Sequence, residues 1–204
     1  MKIITISREF GSGGRELGRY LADVLHMEYY DSEIITAVAE NSGLDRGYVA
    51  KALDGQGWQN YPVSFRLASA GSLQTDKIQL LLQQKQVLEE IGAQGKDCVI
   101  VGRNADMILR QYEPFRIFVC AESEAKLARC RERAPAGENL TDKELLRRMK
   151  QIDKARAATR ELLSGEEWGR KEAYHLTVNT TDWEIRELAE AVGEMALRWF
   201  GRAK

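Results

Sequence analysis

Short apolar runs alternate with amphipathic stretches along the chain, and this alternation predicts an α/β fold. Four runs are rich in Val, Ile or Phe, and a fifth is shorter; such runs are typical of strands buried on both faces. The predicted strands cover residues 2–7, 28–30, 98–102, 115–120 and 174–179. Apolar residues at helical spacing predict helices over about 14–26, 32–42, 45–54, 64–94, 103–111, 123–134, 141–164 and 182–199. Because strands alternate with helices, we expect a parallel sheet with helical crossovers.

Two stretches are longer than a crossover needs, and both are predicted to be additions to one domain. The first, about residues 31–95, is mostly helical and is expected to hang over one edge of the sheet. The second, about 134–172, is basic and carries a T-x-x-E capping box at Thr141 and Glu144. With 204 residues the chain is long enough for one domain with a substantial core, spanning 1–204.

Charge and hydropathy limit the kinds of molecule that the protein is expected to bind. Charged residues make up 30% of the chain but nearly cancel, leaving a net charge of −1, so nucleic acid and anionic membranes are not expected partners. No apolar run approaches the roughly 20 residues that span a bilayer. Met1 leads directly into a predicted strand without a signal-peptide pattern, which favours a cytoplasmic location.

Cysteine and histidine offer little support for metal or nucleophilic chemistry. The three cysteines are widely spaced, and Cys98 and Cys120 fall in predicted core strands, which indicates buried thiols. The two histidines, His26 and His175, lie far apart in sequence. We therefore predict no metal site built from protein ligands of this kind and no histidine-based nucleophile.

A glycine-rich loop, "SREFGSGGREL", lies between the first predicted strand and the first predicted helix. Its glycines would let backbone N–H groups point into one concavity, and the following helix adds the positive end of its dipole. The candidate phosphate-binding residues are Gly11, Ser12, Gly13, Gly14 and Arg15. Glycine-rich turns also occur where a helix packs closely on a strand, so a purely structural turn is the alternative.

The loop departs from the lysine-bearing phosphate motif G-x-x-x-x-G-K-[ST]. If Gly13 takes the place of the second glycine, Arg8 stands at the first glycine and Gly14 stands at the lysine. Arg15 then takes the hydroxyl position and is expected to reach the β- or γ-phosphate with its guanidinium. Ser12 and Ser7 are the alternative candidates for the hydroxyl that this exchange removes.

Four further segments of the sequence strengthen the interpretation of the loop as a phosphate site. They are "YYDSEII" (29–35), "DCVIVGRNADMIL" (97–109), "RIFVCAESEAKLARCRER" (116–133) and "YHLTVNTTDWEIRELAE" (174–190). In this order and at these distances, the set resembles the cytidylate kinase-like branch of the P-loop nucleoside monophosphate kinases, from Lys2 to about Trp199. The resemblance implies a three-layer parallel sheet flanked by helices, with a helical acceptor-binding insertion and a lid.

The resemblance also implies roles for particular residues. The loop Gly11–Arg15 would wrap the donor ATP, and Mg²⁺ is the expected metal. Asp31 and Ser32 match the Asp-Ser at the entry to the acceptor site, and Arg103 matches the arginine that contacts the acceptor. The expected catalytic residues are Arg15, Arg103, Arg156 and Arg160. The candidate lid residues are Arg148, Arg156 and Arg160, with Arg129 and Arg133 at the hinge of the lid. Alternatively, the lid arginines form a solvated, salt-bridged helix face, and Asp31 caps a helix.

Three departures from the family pattern bear on activity. Val101 stands where an acidic residue usually precedes Gly-Arg, and Asp106 and Glu16 are the candidate replacements. Thr36 and Ala37 stand where the family carries Tyr-Arg. Asn104 replaces the last residue of Gly-Arg-Asp.

Two functions remain open. The first is an ATP-dependent kinase that phosphorylates a nucleoside monophosphate, CMP above all, or another small acceptor. The second is a catalytically weak or inactive nucleotide- or anion-binding protein of the same fold. A third, weaker hypothesis is a homodimer formed through the predicted helix 64–94, whose apolar residues are Ile78, Leu81, Leu82, Val87, Leu88 and Ile91.

Overall fold

The computed structural model describes residues 1–31, 74–134 and 140–202. Within these ranges a single parallel sheet has the strand order β2-β3-β1-β4-β5. Its strands are β1 (Ile3–Arg8), β2 (Glu28–Asp31), β3 (Cys98–Val101), β4 (Phe115–Cys120) and β5 (Leu176–Asn179). All five strands were predicted from the apolar runs. The first two extend one residue further than predicted, and Asp31 is therefore the end of β2 rather than the start of the insertion.

The helices follow the predicted order. They are α1 (Gly14–Leu25), α2 (Gln74–Ala93), α3 (Ala105–Ile108), α4 (Ser123–Glu132), α5 (Asp142–Ser164) and α6 (Ile185–Phe200). The helix predicted over 103–111 is divided into α3 and a 3₁₀ turn at Arg110–Tyr112. The predicted helices 32–42 and 45–54, and the first part of 64–94, lie outside the described residues. In the ranges described, the helices lack the length and apolar character that would let one cross a bilayer.

The alternation of side chains along β1 builds the three layers. Ile4 and Ile6 face one side, where they join Leu17 and Leu21 of α1 and the buried face of α6. Ile3 faces the other side. There it packs in a second cluster made by α2, β2, β3 and the segment around α3, with Tyr30, Val87, Leu88, Ile91, Ile100 and Leu109. Because successive strand side chains point to opposite faces, one short strand supplies both cores.

The apolar residues of α2 belong partly to this second core. Val87, Leu88 and Ile91 are buried in it, whereas Leu82 is 61% exposed. Part of the proposed dimer stripe is therefore already covered by this chain, and a homodimer through α2 stays a prediction.

Local signals account for the ends of α5, the helix predicted for the lid. The Thr141 hydroxyl accepts the N–H of Glu144 at 3.3 Å, and the Glu144 carboxylate accepts the N–H of Thr141 at 2.8 Å. This is the capping box that the T-x-x-E sequence predicted. The helix ends at Gly165, whose φ of 66° is left-handed.

The strand order determines where polar residues meet. β1 lies between β3 and β4, and β3 lies between β1 and β2. Since all these strands are parallel, their carboxyl ends share one edge of the sheet. The glycine loop after β1, Asp31 at the end of β2 and the turn after β3 are therefore neighbours, in the crevice where ligands bind to open α/β sheets.

Candidate functional site

The glycine loop turns sharply from β1 into α1. Gly11 and Gly13 have φ angles of 77° and 76°, a left-handed conformation that favours glycine. Gly13 caps α1 without a side-chain hydrogen bond, in contrast to the capping box on α5. The first N–H groups of a helix have no partner within it, so α1 presents these donors together with its positive dipole end. Such a loop suits a phosphate.

Hydrogen bonds from Thr180, which Arg129 in turn contacts, stabilise the conformation of the glycine loop. The hydroxyl of Thr180 donates to the carbonyl of Ser12 at 2.7 Å, and Arg129 donates to both the hydroxyl (3.1 Å) and the carbonyl (2.5 Å) of Thr180. The Ser12 hydroxyl donates to the carbonyl of Glu9 at 2.9 Å, and Ser12 is fully buried. The Ser12 hydroxyl thus stabilises the loop by a hydrogen bond within it, and Arg129 stabilises the loop indirectly, through Thr180.

Arg8, the last residue of β1, is a site residue that sequence reasoning overlooked. A Cβ placed on Gly102 would lie 1.9 Å from Arg8 Nη1, so the guanidinium lies directly against this glycine. A Cβ placed on Gly14 would lie 2.6 Å from the Cβ of Arg8. The side chain therefore runs from the start of α1 towards the turn after β3. In the sequence, the signal for a role of Arg8 was that it stands at the first glycine position of the phosphate motif. It was overlooked because the predicted strand ended at Ser7.

The turn after β3 has an unusual backbone. Gly102, Arg103 and Asn104 have φ angles of 88°, 56° and 53°, so three consecutive residues are left-handed. The Gly102 N–H donates to the carbonyl of Ile6 at 2.9 Å, which ties the turn to β1. Positive φ is uncommon outside glycine and is concentrated at functional sites. Arg103 is exposed at the carboxyl end of its strand, the position predicted for an acceptor contact.

Arg15 and Asp31, predicted on the donor and acceptor sides, are brought together. Arg15 Nε lies 3.2 Å from Asp31 Oδ2, and Asp31 is only 7% exposed. The Tyr29 hydroxyl donates to the carbonyl of Arg15 at 3.2 Å. The ion pair connects the first turn of α1 with the end of β2. Ser32, the predicted neighbour of Asp31 in the acceptor site, lies outside the described residues.

The predicted lid helix α5 contacts the loop through Arg156 and Asp153. Arg156 Nη1 donates to the carbonyl of Arg8 and to Asp153 Oδ1, both at 2.9 Å, and the N–H of Phe10 donates to Asp153 Oδ1 at 2.8 Å. Burial lowers the pKa of Arg156, while the charge of Asp153 opposes this effect. Burial also raises the pKa of Asp153, and Arg156 opposes it. Of the lid arginines, Arg156 is thus brought to the loop.

Positive charge accumulates at this edge of the sheet. Burial lowers the pKa of Arg8 well below its ordinary value, and the charges of Arg156, Arg103 and Arg15 lower it further, whereas Asp31 raises it. Arg156, Arg103 and Arg15 therefore lie near enough to Arg8 for their charges to act on its guanidinium. Such an arrangement favours a bound anion, since an anion would offset the repulsion that these charges exert on Arg8.

Arg160 is placed differently from the other predicted catalytic arginines. It is 1% exposed, with Nη1 2.5 Å from Asp106 Oδ2 and Nη2 3.0 Å from Glu166 Oε2. Its guanidinium lies over the Tyr174 ring at 5.6 Å. The described contacts of Arg160 are thus with α3 and the end of α5, not with the glycine loop. Arg133 of the predicted hinge pairs with Glu16 of α1.

The carboxylates around the loop already have cationic partners, which bears on the expected Mg²⁺. The pairs are Glu9–Lys126, Glu16–Arg133, Asp31–Arg15, Asp106–Arg160 and Asp153–Arg156. Asp106 and Glu16, the candidate replacements for an acidic residue at 101, are both among them. In the described ranges, His, Cys, Asp and Glu side chains form no group of three that could hold a metal ion. Mg²⁺ in such sites is usually held by one or two carboxylates together with phosphates and water, so a carboxylate of this set would hold it only by leaving its cationic partner.

Comparison with known proteins agrees with this geometry. The model of the cytidylate kinase-like family matches residues 3–182. A search of curated proteins finds no significant match. Among solved structures, an uncharacterized protein from Eubacterium ventriosum ATCC 27560 is 21% identical, with a TM-score of 0.69, covering 99% of this chain and 100% of that one.

Two shikimate kinases share the fold at lower identity. The enzyme from Acinetobacter baumannii, in complex with shikimate, is 15% identical, with a TM-score of 0.54 and coverage of 99% of this chain and 96% of that one. The enzyme from Bacteroides thetaiotaomicron is 14% identical, with a TM-score of 0.52 and coverage of 95% and 97%. The predicted P-loop kinase fold is confirmed, and with a family match over most of its length the chain belongs to the cytidylate kinase-like family.

Proposed function

We propose that the protein transfers a phosphoryl group from ATP to a small acceptor, and that the acceptor is a nucleoside monophosphate of the cytidylate type. Membership of a kinase-like family supports a phosphotransferase of the P-loop kind. The observation that carries the proposal is the meeting of Arg8, Arg15, Arg103 and Arg156 beside an uncapped glycine loop. A purely structural turn has no need for three further arginines around the guanidinium of Arg8.

The donor phosphates are proposed to bind at the glycine loop. The N–H groups of Gly14, Arg15 and Glu16 begin α1 and would donate to phosphate oxygens. Phosphoryl transfer develops charge on the equatorial oxygens of the moving group, and nearby arginines stabilise that charge. When bound, Mg²⁺ would add further neutralisation of the phosphate charge.

The acceptor is proposed to bind at the carboxyl ends of β2 and β3. Arg103 would contact the acceptor phosphate from its left-handed turn, Asp31 would contact the acceptor from the end of β2, and Ser32, the next residue in sequence, is proposed as a further acceptor contact. The pairing of Asp31 with Arg15 links the two sides of the site. An acceptor that alters this pair would therefore also alter the position of a donor-side arginine.

The helix α5 is proposed to exclude water from the reaction. Its Arg156 and Asp153 hold the backbone of Arg8 and Phe10, the two residues that flank the entry to the loop. Closure over the donor protects the triphosphate from hydrolysis and completes the charged site.

The alternative is a protein that binds nucleotides or anions without transfer. It is favoured by two observations: Gly14 stands in place of the motif lysine, and Val101 stands in place of the acidic residue. Each such charge contributes a few kcal/mol to transition-state stabilisation in kinases, roughly a hundredfold in rate. The two functions differ only in turnover, so turnover decides between them.

The deciding experiment incubates the purified protein with Mg-ATP and a panel of nucleoside monophosphates and small hydroxylated metabolites, shikimate included. We expect acceptor-dependent ADP formation that is greatest with a pyrimidine monophosphate and is lost in Arg15→Ala and Arg103→Ala. Arg19→Ala is the matched control, since Arg19 is exposed on the same helix as Arg15. Normal ATP binding without transfer to any acceptor would establish the binding-only alternative.

A further inference from the structure

Two positions of the glycine loop have exchanged their residue types relative to the lysine-bearing motif. The motif has glycine at its first position and lysine at its seventh. Here the first position is Arg8 and the seventh is Gly14. The cationic side chain and the missing side chain have thus changed places, at opposite ends of the same loop.

The structure shows why the two changes belong together. A Cβ on Gly14 would lie 2.6 Å from the Cβ and 3.0 Å from the Cγ of Arg8. The first distance is shorter than non-bonded carbon atoms tolerate, so a side chain at residue 14 and the observed Arg8 side chain exclude each other. Glycine at residue 14 is what lets the Arg8 stem pass the start of α1. The stem of Arg8 therefore occupies the space in which a lysine at residue 14 would begin.

The guanidinium of Arg8 ends at the turn after β3. Its Nη1 lies 1.9 Å from where a Cβ of Gly102 would be, which places it beside the turn that carries Arg103. The backbone carbonyl of Arg8 is held by Arg156 at 2.9 Å, so strand and side chain have a defined position at the loop.

We propose that Arg8 takes the role of the absent loop lysine and binds the β- and γ-phosphates of the donor nucleoside triphosphate, reaching them from the end of β1 instead of from the start of α1. The donor class rests on the proposed function. A guanidinium suits this task because its planar fork can bind two phosphate oxygens at once. It also keeps its proton in a buried, positively charged crevice where a lysine would lose it more readily.

The first test removes the charge and keeps the bulk. Binding of Mg-ATP and of inorganic tripolyphosphate is measured by calorimetry for wild type, Arg8→Gln and the control Arg19→Gln, without acceptor. We expect Arg8→Gln to weaken both ligands about tenfold to a hundredfold, the usual effect of losing charge-assisted hydrogen bonds. CMP affinity and the Arg19→Gln affinities should stay at the wild-type level. Unchanged ATP and tripolyphosphate binding by a folded Arg8→Gln protein, or a loss confined to CMP, would overturn the proposal.

The second test reverses the exchange. Gly14→Lys alone is expected to weaken ATP and tripolyphosphate binding, because the new side chain meets Arg8. Arg8→Gly alone should weaken binding by removing the charge. The double variant Arg8→Gly/Gly14→Lys restores the standard arrangement and should recover most of the affinity. A folded double variant that binds no better than either single variant would contradict the proposal.

These binding measurements are independent of turnover. If Arg8→Gln loses phosphate affinity while wild type transfers phosphate to no acceptor, Arg8 has its proposed role and the kinase function fails. If wild type is an active kinase whose ATP affinity does not depend on Arg8, the kinase function stands and the role of Arg8 fails.

Discussion

Arg160 of α5 and Asp106 of α3 form a buried ion pair, with 2.5 Å between Nη1 and Oδ2 and exposed fractions of 1% and 3%. Glu166 accepts a second hydrogen bond from Arg160 at 3.0 Å. Because Asp106 follows Arg103 by three residues, the pair links the predicted lid helix to the turn that carries the acceptor-side arginine. Its geometry indicates that Arg160 positions these two elements relative to each other.

Removing one partner of this pair should be strongly destabilising. Asp106→Asn would leave the Arg160 guanidinium buried with only the more exposed Glu166 as a counter-charge. Loss of one partner of a buried pair costs about 3–5 kcal/mol, whereas replacing both by apolar residues is often neutral. We therefore expect a large loss of unfolding free energy in Asp106→Asn and a much smaller one in Asp106→Leu/Arg160→Met. Urea unfolding followed by circular dichroism measures both.

The same variants decide whether Arg160 is catalytic. A positioning role requires that the double variant keep kcat near the wild-type value, whereas contact with the transferred phosphoryl group requires that kcat fall while stability is retained. Arg131→Ala is the control, because Arg131 pairs with Asp142 at the surface of the same region and should contribute at most about 1 kcal/mol.

Most of the architecture could be predicted because it depends on local patterns. The apolar run of β1 predicted a strand buried on both sides, and Ile3 and Ile4 indeed face different cores. The capping box of Thr141 and Glu144 predicted the start of α5 because both of its bonds join residues three apart. Two features of the helix predicted over 103–111 were not foreseen: the left-handed turn before it shifts its start to Ala105, and it is divided at Leu109.

The site was less predictable because its contacts join distant parts of the chain. Arg8 meets Gly102, and Arg160 meets Asp106, only after β1, β3 and α5 have packed together. A sequence pattern identifies a charged side chain but not the partner that the fold supplies. For this reason Asp106 was considered as a magnesium ligand, although its carboxylate lies against Arg160.

The approach of Arg8 to Gly102 leads to a second prediction. Gly102→Ala places a methyl group 1.9 Å from Arg8 Nη1 and also requires alanine to adopt a φ of 88°. Gly95→Ala has a similar backbone requirement, with a φ of 72°, but its new methyl group has no atom within 4 Å. Both should lose roughly 1–2 kcal/mol of stability from the left-handed backbone. Only Gly102→Ala should also weaken ATP binding in calorimetry; equal ATP affinities would contradict the contact with Arg8.

The support under the glycine loop gives a third prediction. Thr180→Val removes the hydroxyl that donates to Ser12 and accepts from Arg129, while keeping the shape of the side chain. The Ser12 carbonyl and the Arg129 guanidinium each lose a hydrogen-bond partner at the fully buried Thr180, which costs about 1–3 kcal/mol of unfolding free energy. We expect a lower unfolding midpoint and a raised KM for ATP.

Thr159→Val is the control for Thr180→Val. The Thr159 hydroxyl donates to the Ala155 carbonyl of its own helix, in an exposed hydrogen bond. The change should move stability by less than about 0.5 kcal/mol and leave the KM for ATP unchanged. A KM in Thr180→Val that also matches wild type would show that the loop does not depend on this support.

His175 provides a prediction of pH dependence. Its ring stacks on Phe115 with 5.8 Å between centroids, its Nδ1 accepts the backbone N–H of Arg116 at 3.1 Å, and its Nε2 lies 3.0 Å from Arg116 Nη2. Partial burial lowers the pKa of His175 from its ordinary value of 6.5, and the charges of Arg116 and Arg202 lower it further. In the unfolded chain the imidazole takes up its proton near the ordinary value, whereas in the folded protein it does so only at lower pH.

The direction of the effect follows from this difference. Above the unfolded pKa both states are neutral at His175, and the residue adds no pH dependence. As pH falls through about 6.5, the unfolded state binds a proton first, so the free energy of unfolding decreases until the folded pKa is reached. Because the ring is exposed on one side, solvent screens part of this loss and the slope should be shallow. Urea unfolding of wild type and His175→Gln between pH 8 and pH 5 measures it: the stability of wild type relative to the variant should decline as pH falls. A difference that stays constant, or that grows in favour of wild type at low pH, would show that the folded environment does not disfavour the protonated imidazole.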